Sequence, residues 1–301
     1  MNETNDIALI CVPIWYGSDI HGMEQAPDIL RAAISDSNSI PTVATTTEIP
    51  VDELPQNEPD NIWNVKHLES IVAINRQLAS AVSQQLAAKR FVLTLGGDHS
   101  IGIGTVSGSL MHDKNVGVIW FDAHCDMNTE TSSPTCRIHG MPIAALMGLC
   151  QSPLNDIPIC HIKPENIFWV GARDLDPGEQ ELAESLHLHI YSTKHIHQVG
   201  MKAVMEELRK EMTKQGIEHL HLSFDVDAFD PKLFPATSVR VADGLWMDDF
   251  DTFATLLPTL PKMIALDFVE YNPILDNENQ DCQKMCKYFL NKLIQANQHD
   301  R

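Results

Sequence analysis

Six short apolar runs, each closed at once by a polar cluster, recur along the chain: IALICVPI, RFVLTLGGD, VGVIWFDAH, NIFWVGARD, HLHLSFDVD and MIALDFVEYNP. Runs of that length and β-favouring character read as buried parallel strands, which need apolar side chains on both faces. Segments of helical period lie between them, at 65–90, 100–112, 141–149, 178–185, 201–214, 248–257 and 280–295. Strand and helix in alternation predict an α/β fold, a single three-layer α/β/α domain over 1–301 around a mostly parallel sheet. The stretch 42–64, rich in proline and acids, reads as a long surface excursion.

Charge narrows the partners. With 41 acidic and 21 basic side chains the formal net charge is −20, which disfavours nucleic acid and anionic membranes and favours small cations. The seven cysteines are odd in number and form no CxxC pair, a usage suited to a reducing compartment. The first residues are polar and acidic, and the first apolar run is too short to span a bilayer. A cytoplasmic, soluble protein is expected. Cys282 and Cys286 stand one helical turn apart, which reads as packing.

Three strand ends carry the chemistry. The first gives Asp122-Ala-His124-Cys-Asp126 directly after VGVIWF, at the carboxyl end of a strand, where open α/β sheets place their sites. If the segment stays extended, positions 122, 124 and 126 share a face, and ligands so grouped repel unless a cation sits among them. The second gives Ser223-Phe-Asp225-Val-Asp227-Ala-Phe-Asp230-Pro231. Asp225 and Asp227 alternate onto one face, Asp230 reads as a turn cap, and the spacing does not fit a calcium-binding EF-hand loop. The third gives Gly96-Gly97-Asp98-His99-Ser100, with glycines for a tight turn, Asp98 or Ser100 to cap the next helix, and His99 to complete the ligands.

Two imidazoles and four carboxylates are too many for one open catalytic ion and suit two. Structural zinc favours sulfur and nitrogen, whereas magnesium and calcium rarely take histidine. An oxygen-rich set containing histidine suits Mn2+, with Co2+ or Fe2+ as alternatives.

The chain resembles the arginase branch of the ureohydrolases from end to end. The segments that carry the resemblance are Gly22-Met-Glu24-Gln-Ala-Pro27, GGDHS, DAHCD, Ile138-His139-Gly-Met-Pro142, Arg173-Asp-Leu-Asp-Pro-Gly-Glu179, SFDVDAFDP and Val269-Glu270-Tyr-Asn-Pro273. The resemblance implies that one manganese takes His99, Asp122, Asp126 and Asp225. The other takes Asp122, His124, Asp225 and Asp227, so that Asp122 and Asp225 bridge. It also implies a homotrimer or homohexamer.

Arginine would then be cleaved to ornithine and urea, hydroxide bridging the two ions attacking the guanidinium carbon and Asp126 orienting it. Glu270, closing an apolar strand, would be costly unpaired and is suited to grip guanidinium; a helix cap or an internal ion pair is the structural alternative. His139 is placed to shuttle the proton. Asp176 and Glu179 match family residues that hold the substrate α-amino group, and they also compose a capping box around Pro177. Asn128 matches a carboxylate contact. Where arginases usually carry Ser-Gly-Asn this chain has Thr135-Cys136-Arg137, and where they carry Gly-Thr-Pro it has Ser238-Val239-Arg240. Both departures fall around the substrate, and both arginines also fit a surface position. Two other functions are therefore carried: an amidinohydrolase acting on another guanidino or formimino acid, and a non-catalytic metal-binding regulator on the same fold.

Overall fold

The computed structural model describes residues 6–35, 43–51 and 61–298. Among them, strands β1 (Ile7–Val12), β2 (Val43–Glu48), β3 (Phe91–Gly96), β4 (Gly117–Phe121), β5 (Ile167–Val170), β6 (His189–Tyr191), β7 (His219–Asp225) and β8 (Lys262–Val269) form one sheet. Its order is β2-β1-β3-β8-β7-β4-β5-β6, and every pairing is parallel. The helices are α1 (Ala26–Ser35), α2 (Leu68–Ala87), α3 (Gly102–His112), α4 (Pro142–Leu146), α5 (Pro177–Leu186), α6 (Thr193–Val199), α7 (Met201–Lys214), α8 (Met247–Leu256) and α9 (Asp281–Ala296).

Alternation along the strands creates two cores. Ile119 and Phe121 of β4, Leu222 and Phe224 of β7, and Leu266 and Phe268 of β8 pack with Leu30, Leu208, Phe253 and Phe289 of α1, α7, α8 and α9. The neighbouring residues Val118 and Trp120 face the other way, onto Ile71, Val106 and Leu146 of α2, α3 and α4. The sheet is thus covered on both sides, as an all-parallel sheet requires. Among the described residues no helix is long and apolar enough to cross a membrane.

Of the stretch 42–64, expected to be a surface excursion, residues 42 and 52–60 lie outside the described residues, and the part that is described contains β2. That strand is VATTTE with alternate residues exposed; at the sheet edge it needs no apolar run, which is why hydrophobicity alone passes over it. Strand β6 has three residues, too few for a periodic signal, and α1 and α6 lie in segments where no helix was expected.

The topology gathers the site. The four central strands are neighbours in the order β3-β8-β7-β4, and being parallel they deliver GGDHS, Val269-Glu270, SFDVD and DAHCD to one edge.

Candidate metal centre

Each strand ends in a backbone device that turns its ligands inward. After β3, a Cβ on Gly97 would stand 1.7 Å from the Ile14 carbonyl oxygen, so the turn admits only glycine. Asp98 then accepts from Ser100 N at 3.0 Å and Gly17 N at 2.8 Å, so it is Asp98 that caps the turn carrying His99. After β4 the chain bends: Asp122 Oδ1 accepts from His124 N at 2.7 Å, and Asp126 adopts a left-handed φ of 52°. This corrects the expected geometry, since 122–126 is not extended and its ligands converge through a side-chain-to-backbone turn. Asp225 repeats the device, accepting from Asp227 N at 2.7 Å, with Val226–Ala228 a 3-10 turn. Asp230 caps the following loop through Lys232 N and Gly244 N.

Arg173 holds these bends against one another. Its guanidinium donates to the carbonyls of Gly171, Asp227, Ala228, Phe229, Val241 and Ala242 at 2.8–3.2 Å.

The result is two overlapping groups, His99–Asp122–Asp126 and Asp122–His124–Asp227, with Asp122 common to both. His99 Nδ1 lies 3.0 Å from Asp122, 3.3 Å from Asp126 and 3.1 Å from Asp225. His124 Nδ1 lies 3.3 Å from Asp122 and 3.1 Å from Asp227. Burial disfavours charge here, yet contact with Asp122 and the charges of Asp126 and Glu270 carry the His99 pKa up to about 9. Burial, reinforced by Asp122, holds the Asp126 carboxyl well above its usual range. Burial and the charge of Asp227 do the same to Asp225.

Such crowding is unfavourable for carboxylates alone and is relieved by cations. His99 Nδ1 and Asp122 Oδ2 are buried, and beyond their mutual 3.0 Å contact neither has a hydrogen-bond partner among the described groups. Ligand atoms of oxygen and imidazole character, buried and aimed together, fit a divalent metal.

A cavity of about 300 Å³ opens onto this cluster, and its walls include Asn128, Thr135, Arg137, His139, Asp176, Glu179, Val239 and Glu270. All of the site residues named from the sequence thus lie in the cluster or the cavity wall. Glu270 is buried, but not unpaired. Its Oε1 accepts from His99 N at 2.9 Å and stands 3.3 Å from His139 Nδ1. The capping box forms at the start of α5, with Asp176 as N-cap, Pro177 at N1 and Glu179 at N3, and both of its carboxylates also meet neighbouring segments. Glu179 accepts from Asp176 N at 2.9 Å and from Met127 N at 2.8 Å, and the Asp176 carboxylate also accepts from Asn128 Nδ2 at 2.8 Å. Arg240 is exposed and is not part of the cavity wall.

Sequence reasoning missed Asp174, Ser133 and Ser223, whereas Val239 belongs to a departure already placed around the substrate. Asp174 faces the cavity 4.0 Å from His124 Nε2; its signal was the DLD spacing in the segment that supplied Asp176. Ser223 hydrogen-bonds His99 Nε2 at 2.9 Å, and the alternation of β7 puts it on the same face as Asp225. A second cavity, about 220 Å³, opens at the amino ends of the strands with Lys89, Arg90, His112 and His219, and it contains none of these ligands.

The Arginase family model matches residues 5–294. Arginase from Brevibacillus brevis is 35% identical, over 96% of this chain and 99% of its own. The native structure of Bacillus caldovelox arginase superposes with a TM-score of 0.88 at 32% identity, covering 97% and 98% of the two chains. Entamoeba histolytica arginase in complex with L-ornithine gives 0.86 at 31%, covering 96% and 98%. Agreement of family, sequence and fold over nearly the whole length leaves one placement: the chain belongs to the arginase family, as a hydrolase of the guanidino type.

Proposed function

We propose that the protein hydrolyses the guanidinium of L-arginine to L-ornithine and urea with two Mn2+ ions. The observation that supports this most directly is the pair of His–carboxylate groups sharing Asp122 at the floor of an acidic cavity. His99, Asp122, Asp126 and Asp225 would hold one ion, and Asp122, His124, Asp225 and Asp227 the other. Bound there, such ions lower the pKa of water from about 15.7 to near 7 and so supply a nucleophile at neutral pH.

The chain's own residues do the rest. Glu270, with Oε1 already held by His99 N and His139, turns its remaining lone pairs to the guanidinium. That carboxylate orients the electrophile. Asp126 accepts a hydrogen bond from the attacking water and fixes its direction. His139, partly exposed beside Glu270, gives the departing amine its proton and recovers it from solvent. Asp176, steadied by Asn128, receives the α-ammonium group; Glu179 braces Asp176 from behind. Arg137 and Thr135 receive the α-carboxylate. Oligomerisation, as a homotrimer or homohexamer, and a cytoplasmic setting belong to the same proposal; the seven free thiols support the second.

One observation favours a second substrate. Arg137 and Val239 both face the cavity at the two departures from the arginase pattern, so an amidinohydrolase for another guanidino acid is the runner-up.

The test is urea or formamide release by manganese-loaded protein from arginine, agmatine, guanidinobutyrate and formiminoglutamate. Arginine is expected to lead, with agmatine, which lacks a carboxylate for Arg137, poorest. A higher kcat/KM for another guanidino acid moves the assignment to the runner-up. Release from none of them points to the non-catalytic reading.

A further inference from the structure

Below the metal ligands the sheet contains a polar network that lies outside the cavity wall. His221 and Ser223 of β7, Asp267 of β8, and Thr105 and Ser109 of α3 are all fully buried. Strand register places Ser223 beside Asp267. Asp267 Oδ2 is 2.5 Å from Thr105 Oγ1, 2.9 Å from His221 Nε2 and 3.3 Å from Ser223 Oγ. Ser109 Oγ is 2.8 Å from His221 Nδ1, and Ser223 Oγ is 2.9 Å from His99 Nε2.

A carboxylate only accepts, and this fixes the hydrogens of the three groups that meet Asp267. His221 donates from Nε2 to Asp267, and the Ser109 hydroxyl holds the other side of its ring at Nδ1. Thr105 and Ser223 also donate to Asp267. The single Ser223 proton is thereby committed, and its oxygen must accept from His99 Nε2–H. Neutral His99 then carries its hydrogen on Nε2 and presents an unprotonated Nδ1 to Asp122, Asp126 and Asp225. Trp120 stacks on His99 with centroids 3.9 Å apart and planes 3° from parallel, which sets the plane of the ring but not the nitrogen that bears the proton.

We propose that Asp267 is a positioning residue for the metal centre: acting through Ser223, its carboxylate selects the His99 tautomer whose Nδ1 can bind a cation. The proposal rests on the metal reading above. It requires Asp267 to be an acceptor and nothing else. An amide there can donate to Ser223 Oγ, freeing the Ser223 proton to point at His99 Nε2. The favoured tautomer would then place N–H at Nδ1, against the site.

The experiment titrates metal-free protein with manganese chloride and follows the free ion by electron paramagnetic resonance, so that it needs no turnover. Asp267→Asn, Ser223→Ala and their combination are compared with wild type, with melting of each metal-free protein as the check on folding. The expected result is a loss of about 10–100-fold in manganese affinity for each single variant. The double variant should bind no more weakly than Ser223→Ala, and Ser223→Thr, which keeps the hydroxyl, should bind as wild type. An Asp267→Asn protein that binds as wild type overturns the proposal, as do losses that multiply in the double variant. Should Asp267→Asn not fold, wild-type affinity in Ser223→Ala overturns it instead. Wild-type protein that takes up no manganese overturns the metal reading and this proposal together, whereas normal wild-type uptake with an unaffected Asp267→Asn overturns this proposal alone.

Discussion

Asp126 sits at a left-handed φ of 52°, a conformation in which asparagine and aspartate are at home and most residues are strained. Asp126→Asn therefore keeps the bend while removing a negative oxygen from the cluster. We expect a folded protein that has lost at least about 100-fold in kcat, read by urea release beside circular dichroism; near-normal turnover would remove Asp126 from the mechanism. Protons compete for the same ligands. The raised His99 pKa, about 9 against an ordinary 6.5, means that the charged ring stabilises the metal-free fold below about 6.5. That contribution is lost as pH rises through about 9. Ligation needs the neutral ring, so metal uptake expels its proton, and the raised Asp126 and Asp225 carboxyls act in the same direction. Apparent manganese affinity should climb from pH 6.5 to 9 and level beyond it. Calorimetric titration across that range would expose a flat profile, which this account does not allow.

At the scale of elements, the sequence displays most plainly what is buried on both faces. The runs that became β1, β3, β4, β5, β7 and β8 are apolar because helices cover them, and their polar endings mark the one edge where acids gather. Strand β2 escaped because an edge strand exposes every second residue; its β-branched threonines were the available signal. The convergence of Asp122, His124 and Asp126 was legible as residue types, while its geometry was not, because an aspartate binding a backbone N–H two residues on leaves the same sequence trace as an extended segment. Arg173 was equally opaque. Nothing in RDLDPGE shows that its guanidinium would hold carbonyls of 227–229 and 241–242, since those partners are distant in sequence. Arg173→Met should cost about 3 kcal/mol of stability by stranding carbonyls that a charged donor now satisfies. Because Asp227 O is one of them, manganese affinity should fall as well. Urea-induced unfolding and metal titration of the same variant check both effects; a loss of stability with unaltered metal binding would make Arg173 a brace for the loops alone.

For the molecule as a whole, charge outside the site bears on how substrate reaches it. The chain carries a net −20, and of its acids Asp174, Asp176, Glu179 and Glu270 stand in the cavity wall, with Arg137 as that wall's one permanently cationic side chain among the described residues. Two divalent ions would offset the four ligand carboxylates and leave these outer acids, and the surface beyond them, as the field an approaching molecule meets. A field of that sign concentrates guanidinium compounds near the opening and raises their encounter rate. It extends about 10 Å at 0.1 M salt and about 3 Å at 1 M, so it is separable from contacts made inside the cavity. Raising potassium chloride over that range should lower kcat/KM for arginine severalfold with kcat nearly unchanged, because the chemical step is buried and encounter is not. The decline should be steeper for agmatine, whose charge is not offset by a carboxylate, and shallower for guanidinobutyrate, whose charges cancel. Equal salt dependence for all three would show that the acidic surface serves solubility and leaves substrate capture to the cavity alone.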